Sequence, residues 1–316
     1  MPWVIGTDEA GYGPNLGPLV IGATVWHYGG SLPLDEALAT LARAVGPAAD
    51  RTVAIADSKQ LYSPGVGLAR LESCLLAALA ACGVSPFDAR DVWTQLAPAA
   101  LIALDAETMY AAPHARWPVA CQPDDIDARR QELSAILETH GWRLVSVNCR
   151  ALFPREFNAE VRRLGNKAHV LSQATLQLAA QALAQTSDDD VLICCDKHGG
   201  RNHYTGVLQH CFADGWITPR CEGAALSAYD CRLANRNVRI EFRARGECQP
   251  PTALASMAAK YLRELAMHAF NAFWSGHVKD LRPTAGYPGD AARFHEQVLA
   301  AREKLGIEVE AFWRER

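Results

Sequence analysis

The chain has 316 residues, 49% of them hydrophobic and 21% charged, with a formal net charge of −4. These values indicate one large globular domain or two smaller ones, and the negative charge argues against broad, unspecific binding to nucleic acid. No apolar run is as long as a membrane span, and the N-terminus lacks the features of a secretory signal, so we expect a cytoplasmic protein. The ten cysteines contain no C-x-x-C pair, which argues against zinc sites and disulfide frameworks.

The first part of the chain is rich in strand patterns. Residues 2 to 9 and 18 to 26 are short, β-branched and bounded by Gly and Pro, as strands are. A third strand is predicted over residues 52 to 56, and apolar residues at helical spacing follow over 66 to 82. Residues 84 to 127 are rich in proline and only weakly helical, and we interpret them as an insertion or a lid.

The remaining chain mixes strand and helix patterns. Helices are predicted over residues 126 to 140, 167 to 185, near 205 to 213, 252 to 274 and about 290 to 305. Strands are predicted over residues 142 to 149, 191 to 195 and 238 to 245. The last of these alternates apolar and charged side chains, which predicts one packed face and one charged face.

Carboxylates end two of the predicted strands. Asp8 and Glu9 come just before a glycine-rich turn, and Asp196 ends a strand of apolar residues. An ionised carboxylate there is costly unless a cation or hydrogen-bond donors compensate it, which favours metal ligands; the alternative is solvated or helix-capping turn residues. On a regular strand Asp8 and Glu9 would face opposite ways, so we expect the strand to end or bulge there if both bind metal.

Several segments, in this order, resemble the motifs of the type 2 ribonucleases H. They are Asp8-Glu9-Ala10-Gly11-x-Gly13-Pro14, Asp57-Ser58-Lys59-x-Leu61, Asp196 at its strand end, Ala255-Ser256-x-x-Ala259-Lys260, and Gly286-Tyr287-Pro288 with His295 beyond it. Each short string alone would be a weak signal, because such strings recur by chance. Their joint order and spacing form a strong one.

The resemblance implies an α/β, ribonuclease H-like fold, in which a mixed β-sheet is flanked by helices. The catalytic domain would cover residues 1 to 276 with the 84 to 127 insertion, and residues 277 to 316 would form a C-terminal helical extension packed on it. The implied activity is endonucleolytic hydrolysis of the RNA strand of RNA/DNA hybrids, or at embedded ribonucleotides, giving 5′-phosphate and 3′-hydroxyl ends. Two Mg²⁺ or Mn²⁺ ions would be held by Asp8, Glu9 and Asp196, in a monomer that binds nucleic acid.

Two positions depart from the family pattern. The family has Gly-Asp upstream of the Ala-Ser-x-x-Ala-Lys element, whereas this chain has Gly246-Glu247. Glu247 is the candidate fourth catalytic and metal-binding carboxylate, against the alternative of a plain surface glutamate; Glu222 and Asp230 are weaker candidates. Tyr12 replaces the arginine of the family's Gly-Arg-Gly tripeptide, which in the family helps to read the ribonucleotide at an RNA to DNA junction.

Substrate contacts are predicted around these motifs. The candidate residues are Gly11, Tyr12, Gly13, Lys59, Lys197, Arg201, Ser256, Lys260 and Tyr287, with Arg243 and Arg245 on the charged strand as further cations. A basic, glycine-containing loop such as the one after Asp196 suits phosphate. Two alternatives remain open: a nucleic-acid-binding relative that has lost catalysis, and a nuclease of the same fold that acts on another DNA or RNA structure.

Overall fold

The computed structural model describes residues 2–63, 65, 67–111, 116–187, 189–233 and 236–315. The strands in this part of the chain are β1 (Trp3–Ala10), β2 (Leu19–Tyr28), β3 (Trp142–Leu152), β4 (Val191–Asp196), β5 (Trp216–Glu222), β6 (Leu226–Leu233) and β7 (Arg236–Arg243). The helices are α1 (Leu34–Val45), α2 (Ser58–Leu61), α3 (Ala69–Ala81), α4 (Ala89–Leu96), α5 (Leu101–Ala106), α6 (Pro123–Thr139), α7 (Pro154–Leu164), α8 (Lys167–Leu183), α9 (Thr205–Cys211), α10 (Pro250–His277), α11 (Pro288–Lys304) and α12 (Val309–Phe312). None of these helices is long and apolar enough to cross a membrane.

The strands form one mixed sheet in the order β3-β2-β1-β4-β7-β6-β5. Strand β1 pairs antiparallel with β2 and parallel with β4, and β4 pairs parallel with β7. The predicted mixed sheet flanked by helices is therefore confirmed. The β1–β4 ladder ends at Thr7 and Cys195, so beyond this pair the two strands leave a gap at their carboxyl ends. Ligand sites of open α/β sheets lie at such ends.

The two faces of the sheet pack against different helices. Val4 and Leu192 belong to a core formed with α1, α3, α6 and α10, whereas Ile5 belongs to a second core formed with α7, α8 and α9. Side chains two residues apart on a strand share a face. Asp8 is in phase with Val4, and Asp196 is in phase with Leu192, so both carboxylates lie on the face that α10 covers.

Helix α10 lies unusually close to this face because glycines face it. A Cβ atom at Gly6 would be 2.1 Å from the carbonyl carbon of Pro251, and one at Gly22 would be 2.3 Å from the carbonyl oxygen of Ala255. The Thr24 hydroxyl donates to the Pro251 carbonyl at 2.7 Å. The first turns of α10 are therefore fixed against the backbone of β1 and β2.

The third predicted strand, over residues 52 to 56, is wrong. Residues 53 to 56 are buried but belong to no strand, and the Ile55 amide donates to the carbonyl of Val45, at the end of α1. The place beside β2 is taken by β3, so this apolar run packs in the core without sheet partners. The sequence patterns also failed to predict α1 and α7.

The region over residues 84 to 127 consists of short helices and turns that are anchored by a buried acid. The Glu72 carboxylate, 0% exposed, accepts hydrogen bonds from the backbone amides of residues 119 to 121 at 2.6–2.8 Å and from the Tyr261 hydroxyl at 2.6 Å. This carboxylate joins the segment to α3 and α10. Residues 112 to 115 lie outside the described part of the region.

Candidate active site

Asp8 and Asp196 lie beside the gap between β1 and β4, on the same face of the sheet. Burial, together with the negative charge of Asp196, raises the pKa of Asp8 to about 7. Burial and the charge of Glu247 raise the pKa of Asp196 to about 6. Crowded carboxylates with raised pKa values are poised to accept a cation or a proton.

Glu247 reaches this pair from a tight turn after β7. The turn, Gly246–Cys248, begins with the Gly246 amide donating to Asp196 Oδ1 at 2.8 Å. A Cβ atom at Gly246 would be 2.9 Å from the Cα atom of Asp196, so only glycine fits this approach. Glu247 lies close enough to Asp196 to raise its pKa, and the charge of Glu247 also raises the pKa of Asp8. The structure thus brings the predicted fourth carboxylate to the other two.

The two weaker candidates for that role bind elsewhere. The Glu222 carboxylate accepts hydrogen bonds from the Tyr229 hydroxyl and contacts the His203 ring nitrogen at 2.8 Å. Asp230 forms an ion pair with Arg220 on the outer strands of the sheet. Neither acid is among the groups that affect the pKa of Asp8 or Asp196 most strongly.

Strand β1 continues past Glu9, whereas we expected it to end or bulge there. The strand stays in regular register with β2 as far as Ala10, which pairs with Val20. The antiparallel ladder supports β1 on one side even where the β4 side is open, so alternation directs Glu9 to the face opposite Asp8. Burial and the charges of Asp8 and Asp196 still raise the pKa of Glu9 well above its usual range, and Lys59 opposes them.

The second and fourth motifs meet at Asp8. Ser256, in α10, lies beside Asp8 and lowers its pKa, and the Ser256 hydroxyl is 3.2 Å from that of Ser58. The Asp57 carboxylate caps α2 by accepting a hydrogen bond from the Lys59 backbone amide at 3.0 Å. The Lys59 side chain is exposed. The close packing of α10 therefore orients the carboxylate.

Lys260 lies one turn further along α10. Its ammonium donates to Glu264 Oε1 at 2.6 Å and lies 4.6 Å from the centre of the Tyr62 ring. The Tyr62 hydroxyl donates to the other Glu264 oxygen at 2.8 Å. Lys260 is thus held in place by α2 and α10 on the same face of the sheet as Asp8.

The buried Arg314 side chain holds the glycine-rich loop that follows β1. This side chain, 1% exposed, donates to the carbonyl oxygens of Gly11 and Pro14, and its guanidinium lies 4.7 Å from the centre of the Phe157 ring. Burial lowers the pKa of Arg314 to about 9. The sequence carried no signal for this residue, because its partners lie about 300 positions away.

A second buried arginine supports the same loop. Arg263, 2% exposed, donates to the carbonyls of Leu16 at 3.3 Å and Ala285 at 3.0 Å. Gly11 has a φ of +89°, and a Cβ atom there would be 2.5 Å from Arg263 Nε. Glycine is therefore required at Gly11 by both conformation and space.

Tyr287 and Tyr12 border the loop on its exposed sides. Gly286 accepts the Asn15 amide at 2.8 Å, which places the 55% exposed Tyr287 ring beside Gly13. Tyr12 lies towards α8, where the Lys167 ammonium is 4.9 Å from the centre of its ring. The predicted C-terminal motif therefore reaches the first motif.

The Lys197 ammonium is hydrogen-bonded within the protein. It is 8% exposed, and its ammonium donates to the Arg201 carbonyl at 3.2 Å, to Asn202 Oδ1 at 2.9 Å and to Ser227 Oγ at 3.0 Å. These three bonds use all of its N–H groups. The geometry supports a role in holding the loop, not the predicted substrate contact.

The cations near Lys197 differ in their availability. Arg243 is paired with the buried Glu241 at 2.6 Å, whereas Arg245 is exposed on the turn that precedes Glu247. The Arg201 guanidinium has no ion pair among the described residues, and its charge reaches Tyr12. Arg201 and Arg245 are therefore the cations of this region that a ligand could reach.

Comparison with known proteins gives similarities at low identity. No family model matches the sequence, and no curated protein matches it. The chain is similar to ribonuclease H2 from Pyrococcus horikoshii (15% identity, 98% of this chain and 92% of that one, TM-score 0.49). It is also similar to RNase HII from Archaeoglobus fulgidus in its complex with PCNA (12%, 99% and 94%, 0.45) and to Bst-RNase HIII with Mn²⁺ (16%, 99% and 65%, 0.44). At these identities and TM-scores, the similarities carry no argument about this chain.

Proposed function

We propose that the protein is a metal-dependent endonuclease of the ribonuclease H type. The observation that carries this proposal is the convergence of Asp8, Asp196 and Glu247, whose charges act on one another at the gap between β1 and β4. The resemblance of four sequence segments to the motifs of type 2 ribonucleases H gives independent support. All four of these segments, together with the C-terminal Gly286-Tyr287, lie around this gap.

The residues fit Mg²⁺ or Mn²⁺. No group of three or more His, Cys, Asp or Glu side chains in the described residues is already arranged as a metal site. The available donors are nevertheless carboxylate oxygens, which hard divalent cations prefer, and their mutual repulsion favours cation binding. Asp8, Asp196 and Glu247 would hold two ions on the α10 face, and Glu9, which feels the charges of Asp8 and Asp196, would join them only by reaching round the end of β1. When bound, such a pair lowers the pKa of an attacking water and neutralises the oxygen that leaves.

The chain's own residues position the substrate in this proposal. Ser256 orients Asp8, and the backbone of the Gly11 to Gly13 loop lets a sugar approach closely. Lys59 contacts phosphate from the α10 side, and Tyr12 stacks on a base or hydrogen-bonds to a 2′-hydroxyl. Lys260 and Tyr287 border the nucleic-acid strand that is cut.

The substrate we propose is the RNA strand of an RNA/DNA hybrid, or a ribonucleotide embedded in a duplex, cut to leave 5′-phosphate and 3′-hydroxyl ends. Residues 1 to 276 would form the catalytic domain and residues 277 to 316 its extension, in a cytoplasmic monomer. The substitution of Tyr12 for an arginine keeps two rivals open, namely a binding protein without catalysis and a nuclease for another DNA or RNA structure. The position of Glu247 favours catalysis.

Pure protein should be assayed with Mg²⁺ or Mn²⁺ on RNA/DNA hybrid, ribonucleotide-containing duplex, RNA, DNA and branched duplex. We expect cleavage of the first two, and a loss of about 1,000-fold or more in Asp8→Asn and Asp196→Asn, because several kcal/mol of charge stabilisation disappear. Asp230→Asn is the matched control and should stay active. Mn²⁺ binding should also be lost in Asp8→Asn.

Two outcomes would contradict the proposal. Salt-sensitive binding of duplex without turnover would identify a binding protein. Cleavage confined to DNA or branched duplex would keep the fold and the metals but replace the substrate.

A further inference from the structure

A pocket of about 360 Å³ opens beside the candidate site, on the α8 face of the sheet. It lies between the end of α7, helices α8 and α9, and the loop that follows Asp196. The residues that matter for its chemistry are Gln173, Arg201, His210 and Val207. None of the described Asp or Glu residues lines it.

Gln173 forms the buried wall of this pocket. Its side chain is 8% exposed and makes no hydrogen bond among the described residues. An amide carries two donors and one acceptor oxygen. The Gln173 amide atoms are not among the buried atoms that lack a partner, so they face the open space of the pocket. The amide is therefore available to pair with the polar edge of a ligand.

Arg201 supplies a cation on the side of the pocket nearest the carboxylates. Its guanidinium has no ion pair among the described residues, and it lies 5.8 Å from the centre of the Tyr204 ring. Its charge acts on Tyr12, and Tyr12 in turn feels the charge of Glu9. A nucleic-acid strand that runs from the carboxylates past Tyr12 would therefore bring one of its phosphates to Arg201.

The remaining walls suit a flat ring. Leu164 and Val207 are apolar, and His169 and His210 present imidazole rings. A nucleobase has two apolar faces and one hydrogen-bonding edge, so it matches both the apolar walls and the Gln173 amide. An inorganic anion would use Arg201 but would leave Gln173 and the apolar walls without a partner.

We propose that this pocket binds one unpaired nucleotide of the substrate, with its base edge on Gln173 and its phosphate on Arg201. The proposal rests on the proposed nuclease function and adds a base-binding subsite to it. A base can enter only when it is out of the helical stack, which costs a few kcal/mol in an intact duplex. The subsite therefore favours substrates with an unpaired nucleotide beside the cut.

The test uses the whole protein without divalent metal, so that it does not depend on catalysis. AMP, GMP, CMP, UMP, ribose 5-phosphate and inorganic phosphate are titrated by calorimetry or NMR. We expect at least one nucleotide to bind about tenfold more tightly than ribose 5-phosphate, as one or two hydrogen bonds would give. Gln173→Ala should remove this difference, and Arg201→Ala should weaken every phosphate-bearing ligand. Gln177→Ala, one turn further along α8 and bonded to Arg150, should change nothing.

Val207→Trp provides a second variant that fills the pocket and keeps both polar groups, and it should abolish nucleotide binding while ribose 5-phosphate still binds. Equal affinity for nucleotides and ribose 5-phosphate, or unchanged binding in Gln173→Ala, would overturn the base subsite. Nucleotide binding in a protein that cuts nothing would leave the subsite intact and reject the nuclease. Cleavage without nucleotide binding would support the nuclease and reject the base subsite.

Discussion

The two faces of the sheet differ sharply where β1 and β4 end. On the α10 face, Asp8 and Asp196 lie under a helix that is packed against the backbone of the sheet, and Ser256 on this helix lowers the pKa of Asp8. On the α8 face, Arg201 lines an open pocket, and its charge reaches Tyr12. The closed face fixes the groups that must be placed accurately, and the open face leaves room for a ligand.

The arginines around the site show the same division. Arg263 and Arg314 are buried, and each donates from one terminal guanidinium nitrogen to backbone carbonyls of the glycine-rich loop. Arg201 is reachable and has no carboxylate partner among the described residues. A buried cation here stabilises the fold, whereas an accessible one is available to phosphate.

The largest expected effect is on the closed face. Gly6→Ala would place a Cβ atom 2.1 Å from the Pro251 carbonyl carbon, so α10 must move away from β1. We expect the free energy of unfolding to fall by about 3 kcal/mol, as overpacking against backbone does, and activity to fall as Ser256 leaves Asp8. Gly276→Ala, in α10 with nothing within 4 Å, is the control and should be neutral or stabilising by up to about 1 kcal/mol. Urea denaturation measures both, and a neutral Gly6→Ala would contradict the close packing.

The arginine comparison predicts opposite phenotypes. Arg314→Ala should lower the free energy of unfolding by about 3 kcal/mol, because it leaves two loop carbonyls unpaired and a cavity beside Phe157. Arg201→Ala should change it by no more than about 0.5 kcal/mol and should weaken substrate binding instead. Denaturation and KM measurements on both variants test this, and a large loss of stability in Arg201→Ala would show that the open face is structural.

The raised carboxylate pKa values predict a pH dependence of stability without metal. Burial raises the pKa of Asp8 from 3.8 to about 7, so the stability linked to its neutral form is complete below about pH 4 and is lost as pH rises towards 7. Asp8→Asn should remove much of this decline. Urea denaturation in EDTA between pH 5 and pH 8 compares the two proteins, and added Mn²⁺ should stabilise the wild type more at pH 8. Parallel pH profiles would show that the pKa of Asp8 is not raised in the folded protein.

The smallest expected effect concerns Lys59, which is exposed near Glu9. Lys59→Ala should leave the free energy of unfolding within about 0.5 kcal/mol of the wild type. If Lys59 contacts a phosphate, the slope of log affinity for duplex against log salt should decrease in magnitude by about 1. An unchanged slope would remove Lys59 from the substrate contacts.

The sequence predicted most of the sheet well, because its strands and helices have strong local periods. The apolar run before Asp196 and the alternation in residues 238 to 245 both correspond to strands. The run over residues 52 to 56 failed for a physical reason: a short apolar segment buried without sheet partners has the same local pattern as a strand.

By itself, the sequence determined which carboxylates and motifs would be candidates, since residue type and order along the chain are local properties. Only the tertiary structure decided that Glu247, and not Glu222 or Asp230, joins Asp8 and Asp196, because this depends on the turn at Gly246. It also decided that Lys197 is internal and that Arg314 holds the glycine-rich loop. These roles come from contacts between residues tens to hundreds of positions apart, and no local pattern in the chain encodes them.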